Sequence, residues 1–148
     1  MIESVLDLYE TDFYAWTERQ ADLLKKRRFA EVDIANVAEE LEAMGRSEKR
    51  QFVSRLAQLL MHLLKWVKEP ERRTNSWKYS IRNQRHGLAK LLKESPSLKH
   101  AIESRLAEAY DDALKLASVE TCLDESAFPA TCPYTFDQVM DNDFWPEF

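Results

Sequence analysis

The residues best suited to chemistry lie between His62 and Arg85, where basic and aromatic side chains occur together with few acids. From Lys65 to Arg85 the sequence contains seven bases and two acids, together with Trp66 and Trp77. Guanidinium groups bind phosphate oxygens in a planar fork, and aromatic rings offer flat surfaces for stacking. The pattern therefore predicts an anion-binding groove with these contacts: Arg72, Arg73, Trp77, Arg82, Arg85, His62 and Lys65.

A structural role for the same residues is the alternative interpretation. Trp66 and Trp77 would then belong to the core, and the arginines would pair with Glu39, Glu40 or acids near the C-terminus. From Glu103 to the last residue there are eleven acids and two bases, so this acidic part of the chain could pack beside the basic helix. Both interpretations stay open at the level of the sequence.

A metal centre is not predicted. Helical bundles build such sites from Glu-x-x-His pairs, but Leu59, Asn83 and Ser97 stand three residues before the three histidines. We expect His62 to be a hydrogen-bonded core residue. No Gly-x-Ser-x-Gly or phosphate-loop motif is present, and two glycines are too few to build either. We therefore predict no catalytic residues and no cofactor, which argues against an enzyme.

Length and composition favour one soluble helical domain. The 148 residues are 45% hydrophobic and 32% charged, with a net charge of −5, which is ordinary for a globular protein. Two glycines and five prolines suit long helices better than strands. No apolar run is long enough to cross a membrane, and the acidic N-terminus lacks the order of a signal peptide. With Cys122 and Cys132 expected as free thiols, we predict a cytoplasmic protein.

Helical periodicity predicts an all-α bundle of about five helices. The most apolar segment runs from Ser47 to Pro70, and its stripe of large side chains marks it as the core helix. Gly45 is predicted to end the helix before it, and residues 2–9 to add a turn at the N-terminus. The predicted helices are Thr11–Arg28, Ile34–Met44, Ser47–Pro70, one from Thr74, Asn75 or Ser76 to Lys93, and Ser95–Val119.

The last part of the chain has a different character. From residue 120 onward several turn-prone stretches interrupt the helical pattern, and Thr135 is expected to cap a short helix that reaches Met140. Phe144, Trp145 and Phe148 are too apolar for a free tail. We therefore predict a single domain over residues 1–148, with a helical bundle at 1–119 and a wrapping segment at 120–148.

Several stretches of the sequence carry a resemblance that covers nearly the whole chain. They are DFYAWTERQADLL, DIANVAEELEAMGRSEKR, HLLKW, PERRTNSWKYSIRNQR, SPSL and FPATCPYTFDQVM. In these the chain resembles the bacterial family catalogued as domain-of-unknown-function family 29. The resemblance implies an all-helical bundle. It implies no activity, cofactor or catalytic residue.

Two functions are consistent with these observations. The first is a non-catalytic cytoplasmic interaction module that binds a protein partner or a second copy of itself, since the helices are widely apolar and catalytic motifs are missing. The second is binding of nucleic acid or a phosphorylated small molecule at the basic, tryptophan-bearing face. Such binding should weaken steeply with salt. A membrane partner is not expected.

Overall fold

The computed structural model describes residues 8–147, and the all-α prediction is confirmed, with no strand in that range. Short 3-10 turns connect most of the helices. None of the helices within residues 8–147 is long and apolar enough to cross a membrane. The helices are α1 (Phe13–Lys25), α2 (Ile34–Lys68), α3 (Asn75–Glu94), α4 (Ile102–Thr121) and α5 (Phe136–Met140).

The chain divides into two compact units, Met1–Glu48 and Lys49–Phe148. Helix α2 is continuous and contributes its first part to one unit and its second part to the other. Each unit is described by itself below. The prediction of a single domain stays a prediction. The predicted extra turn at residues 2–9 lies mostly outside the described residues, but residues 8–11 are described and are helical.

The predicted break at Gly45 is wrong, because α2 runs for 35 residues without interruption. Gly45 does not adopt a positive φ, so it cannot act as the left-handed residue that ends a helix. A glycine inside a helix costs only about 1 kcal/mol relative to alanine. The flanking residues are good helix formers, and Arg46 adds ion pairs to Glu39 at 3.1 Å and to Glu42 at 3.9 Å. Ser47 consequently lies inside the helix rather than at its start.

Two other predicted boundaries need correction. Asp12, not Thr11, caps α1 by accepting a hydrogen bond from the Ala15 amide at 3.1 Å, and the helix ends at Lys25 because Arg27 takes a left-handed φ of 60°. Ser95 and Pro96 begin a 3-10 turn instead of a long helix. Helix α4 starts only at Ile102, after Ala101 with a φ of 53°.

The remaining helix ends agree with the sequence. Thr74 caps α3 by accepting from the Trp77 amide at 3.3 Å. Thr135 and Gln138 form a reciprocal capping box at the start of α5, which satisfies two amides that the helix itself leaves unpaired. Helix α2 ends at Lys68, two residues before Pro70, as expected from the steric restriction that proline imposes on its predecessor.

The second unit contains the main core, and the second part of α2 is its centre, as predicted. Five of its large side chains are completely buried, and they pack against α3, α4 and the C-terminal segment. Val139 of α5 is fully buried, and the ring of Trp145 lies 4.8 Å from that of Trp66. The predicted packing of the C-terminal segment on the helices is therefore confirmed, although Phe148 lies outside the described residues. The five α2 side chains are Phe52, Leu56, Leu59, Leu60 and Leu63.

The first unit is a pair of helices held together by polar contacts. The Trp16 indole donates to the Asp33 carboxylate at 3.1 Å, and the Gln20 side chain accepts from the Asp33 amide at 2.8 Å. The Tyr9 hydroxyl donates to Glu40 at 2.5 Å, and this bond raises the pKa of Tyr9 to about 12. Phe13 is half exposed.

Candidate anion-binding site

Arg85 is the basic residue that helix α3 places deepest in the protein. Ile81, Arg85 and Leu88 share one face at helical spacing, and only 1% of Arg85 is exposed. Its Nε donates to the Val139 carbonyl at 2.7 Å, and its Nη2 donates to the Phe144 carbonyl at 2.8 Å. Arg85 thus ties α3 to the C-terminal segment. Its Nη1 is buried and has no hydrogen-bond partner among the described residues.

The charge of Arg85 is only partly compensated. Burial lowers its pKa, and Asp141 opposes this effect from a distance. No carboxylate of residues 8–147 forms an ion pair with it. An arginine stays protonated in proteins, so a positive charge with an unused donor lies inside the unit. A neighbouring anion would stabilise such a group, because no ion pair with a described residue offsets the free energy that it costs to remove the charge from water.

A second guanidinium lies beside the first. Arg82 is exposed, and its Cζ lies 5.9 Å from the ring centroid of Trp145. The Cζ of Arg85 lies 5.5 Å from the same centroid. Both distances are in the range of cation–π contacts. Trp145 therefore holds two positive groups near one aromatic ring.

Arg82 and Arg85 border a cavity of about 430 Å³, which we call the arginine cavity. Its volume falls in the range of small-molecule sites. No acidic side chain is among the described residues that line it, so its polar surface comes from two guanidiniums, an imidazole and an amide. The arrangement can donate several hydrogen bonds to a small anion. The lining residues are Arg82, Arg85, His86, Ala89, Met140 and Asn142.

Arg72 and Arg73 lie elsewhere in the second unit and make contacts of their own. The Nε of Arg73 donates to the Trp66 carbonyl at 2.7 Å, and its Cζ lies 4.5 Å from the Trp66 ring centroid. It therefore satisfies a carbonyl in the last turn of α2, where helix carbonyls lack partners. Arg72 is exposed and pairs with Glu69 at 3.1 Å.

Lys65 and Trp77 form a separate contact. Lys65 is only 8% exposed, lies 4.6 Å from the Trp77 ring centroid and pairs with Glu120 at 3.4 Å. Its charge is consequently balanced without a ligand. His62 is half-buried, and its pKa is lowered, first by burial and then by Lys65. The expected hydrogen bond of His62 is not found at its Nδ1, which is buried without a partner among the described residues.

The structure thus brings together two of the seven predicted site residues, Arg82 and Arg85, and places the other five outside the arginine cavity. The cavity also includes His86, which is exposed, and Asn142. The spacing of Arg82 and His86, four residues apart on one helix, was a sequence pattern that could have identified the imidazole. Within residues 8–147, no group of three His, Cys, Asp or Glu side chains is placed to hold a metal ion.

Comparison with known proteins identifies the family to which the chain belongs. No curated protein and no solved structure matches the chain. The family profile described as "Domain of unknown function DUF29" matches residues 8–145, and this confirms the resemblance found in the sequence. The match covers both compact units, including α3 and the C-terminal segment that border the arginine cavity. The chain therefore belongs to the family of DUF29 domains.

Proposed function

We propose that this protein binds a small phosphorylated molecule in the arginine cavity. One observation carries the proposal: a guanidinium that is 1% exposed lines a cavity without acidic side chains, and one of its donors has no partner among the described residues. Phosphate oxygens match the planar donor geometry of guanidinium groups and form charge-assisted hydrogen bonds with them. Arg82 and His86 would supply further donors to the same anion.

A small ligand fits these features better than a nucleic acid does. A nucleic-acid surface needs a row of basic residues that follows the phosphate backbone. Arg73 and Lys65 are instead held by a carbonyl and a carboxylate, and Arg72 pairs with Glu69. Of the seven residues of the predicted groove, Arg82 and Arg85 are the two that border the cavity of about 430 Å³, and the whole chain carries a net charge of −5.

Calorimetric titration tests the proposal with three probes: inorganic phosphate, ribose 5-phosphate and unphosphorylated ribose. We expect binding of ribose 5-phosphate that requires the phosphate and weakens as salt is raised. Arg82→Gln should lower the affinity about tenfold or more, which corresponds to the loss of about 1.4 kcal/mol. The matched control is Arg72→Gln, since Arg72 is also exposed but lies outside the cavity. The affinity of this variant for ribose 5-phosphate should change less than twofold.

Two results would overturn the proposal. One is the absence of heat for either phosphate-bearing probe at millimolar concentration in low salt. The other is an equal loss of affinity in Arg82→Gln and Arg72→Gln, because this would indicate a general charge effect rather than a site. Strong binding of a single-stranded oligonucleotide that depends on Arg72 would instead favour the nucleic-acid function.

We also propose a cytoplasmic location in a bacterial cell. The exposed thiol of Cys122 and the free thiol of Cys132 support the cytoplasm, because free thiols persist in reducing compartments. The bacterial family that the sequence resembles supports a bacterial cell. Fractionation of cells that express the full chain tests this proposal. Recovery in the periplasmic fraction would contradict it.

A protein-interaction role is the second candidate function. Seven of the ten exposed large hydrophobic side chains among the described residues belong to the first unit. This concentration within about a third of the chain favours a contact surface there, because large apolar patches on a protein commonly mark interaction sites.

A further inference from the structure

The first unit consists of two antiparallel helices. Tyr9, in the helical turn before α1, contacts Glu40, whereas Trp16 and Gln20 of α1 contact Asp33 at the start of α2. Later residues of the first helical segment therefore meet earlier residues of the second. The buried side chains Trp16, Gln20 and Leu23 mark the side of α1 that faces α2. We call this pair of helices the hairpin.

Each helix of the hairpin carries a second, unburied stripe beside the side that faces its neighbour. Both stripes have the 3-4-3 spacing of residues that meet a partner helix. Successive residues of an α-helix are rotated by about 100° around its axis. Each stripe therefore lies roughly 50–140° around its helix from the side that faces the other helix, and the direction of this rotation is the same for both helices. Because the helices are antiparallel, the same rotation brings both stripes to one side of the hairpin. The stripes are Tyr14, Thr17, Ala21 and Leu24 on α1, and Ile34, Val37, Leu41 and Met44 on α2.

This side of the hairpin, the apolar face, is unusually exposed. Tyr14 is 73% exposed, Leu24 42%, Ile34 67%, Leu41 62% and Met44 65%. These five side chains offer roughly 500–600 Å² of apolar surface per copy, which approaches the ~800 Å² that each partner contributes to a standard interface. None of the eight stripe residues is charged. The face therefore suits an apolar protein surface.

The hairpin also buries too little to be stable through its own core. Among the described residues of the first unit, Trp16 and Leu23 are the only buried hydrophobic side chains. Units of this size usually need an additional source of stability, and oligomerisation is a common one. A second hairpin against the apolar face would supply the missing layer.

Charge is distributed unevenly along the hairpin, in a way that favours a second copy. The end near the connecting turn carries four bases, Lys25, Lys26, Arg27 and Arg28, against three acids, Asp22, Glu31 and Asp33. The other end carries five acids, Glu10, Asp12, Glu39, Glu40 and Glu42, against the base Arg46. Lys26 and Arg28 also form exposed ion pairs within their own chain. In a twofold dimer with antiparallel hairpins, the basic end of each copy faces the acidic end of the other.

We propose that two copies of this chain dimerise through their apolar faces and form an antiparallel four-helix bundle. Stripes at heptad spacing on both helices are what such a bundle needs. A twofold interface uses the same patch of each copy, and the charge distribution of the hairpin is complementary to itself in this orientation. The proposal concerns the first unit alone and does not depend on the arginine cavity of the second.

Sedimentation equilibrium of the full chain tests the dimer over a concentration series from about 1 to 200 μM. We expect a dimer in this range, with a dissociation constant that rises at least about 100-fold in Leu41→Arg. The matched control is Tyr79→Arg, since Tyr79 is an equally exposed hydrophobic residue of the second unit at 70%, and it should leave the constant unchanged. Leu41 is at the surface, so the helical circular dichroism should be the same in all variants.

The orientation has its own measurement. Lys25→Glu puts an acid at the basic end of the hairpin and should weaken the dimer about fivefold or more at low salt, with a smaller effect at high salt. A chain that is monomeric at 200 μM overturns the proposal and leaves the apolar face to a different protein. A dimer that survives both Leu41→Arg and Ile34→Arg overturns it as well, because the contact would then lie elsewhere.

Discussion

Replacing Arg85 with methionine should destabilise the protein by about 2–4 kcal/mol. The guanidinium makes a buried hydrogen bond to the Val139 carbonyl and a partly buried one to the Phe144 carbonyl. Hydrogen bonds from charged groups are worth about 1.5–3 kcal/mol each, and buried acceptors left without a partner add to the loss. Removing a desolvated charge offsets part of this loss, and the hydrogen bond to Phe144 is only partly buried. The net cost is still a large fraction of a typical stability of about 5–15 kcal/mol.

Urea unfolding followed by tryptophan fluorescence and by circular dichroism measures this cost. Trp145 contacts Trp66 and both guanidiniums of the arginine cavity, so its fluorescence reports on the docking of the C-terminal segment. Arg82→Met is the matched control. It removes an exposed guanidinium beside the same ring, and surface changes of this kind usually stay within about 0.5 kcal/mol.

Two results of the comparison between Arg85→Met and Arg82→Met would contradict this prediction. If Arg85→Met and Arg82→Met lower the unfolding free energy equally, or if Arg85→Met costs less than about 1 kcal/mol, then Arg85 does not hold the segment as its hydrogen bonds indicate. Arg85→Lys gives a further check. Lysine keeps the charge but cannot reach two carbonyls with a planar fork, so its stability should lie between that of the native protein and that of the methionine variant.

Two remaining predictions concern stability. Gly45→Ala should stabilise the protein by about 0.5–1 kcal/mol in urea unfolding, because a Cβ there meets no atom within 4 Å and the residue is inside a helix; a loss of stability would favour a left-handed residue and two separate helices. His62→Gln tests the lowered pKa of His62. In the folded state His62 binds a proton less readily than in the unfolded state. Its contribution to the free energy of unfolding is therefore fully present above the unfolded pKa of about 6.5 and is lost as the pH falls towards the folded pKa. The variant should therefore lose less stability than the native protein between pH 7.5 and pH 5, and an equal loss in both would contradict the assignment.

The sequence predicted the fold class because helical periodicity and the scarcity of glycine and proline are strong local patterns. It also predicted the cap at Thr135, and it limited the cap of α3 to Thr74, Asn75 or Ser76, of which the structure has Thr74. The error at Gly45 has a physical reason. A glycine after an apolar stripe matches the pattern of a helix end, but the pattern cannot show that helical residues on both sides outweigh a cost of about 1 kcal/mol.

The site was harder to predict, because its residues come together only through tertiary contacts. By sequence alone, four arginines are equivalent candidates: Arg72, Arg73, Arg82 and Arg85. The structure gives them, in that order, different partners: a carboxylate, a carbonyl, an aromatic ring and two carbonyls of the C-terminal segment. The partners of Arg85 lie 54 and 59 residues away along the chain. No local spacing rule connects such positions.

The same long-range contacts would link binding of the proposed ligand to the docking of the C-terminal segment. Met140 and Asn142 form part of the cavity wall, and Arg85 holds the segment on both sides of them through Val139 and Phe144. The arginine cavity therefore exists only while the segment is docked. A phosphorylated ligand that binds only the docked state must stabilise it by mass action, by about 2.7 kcal/mol at a concentration 100 times its dissociation constant. Protection of residues 136–147 from hydrogen exchange should consequently increase with ribose 5-phosphate in the native protein and not in Arg82→Gln.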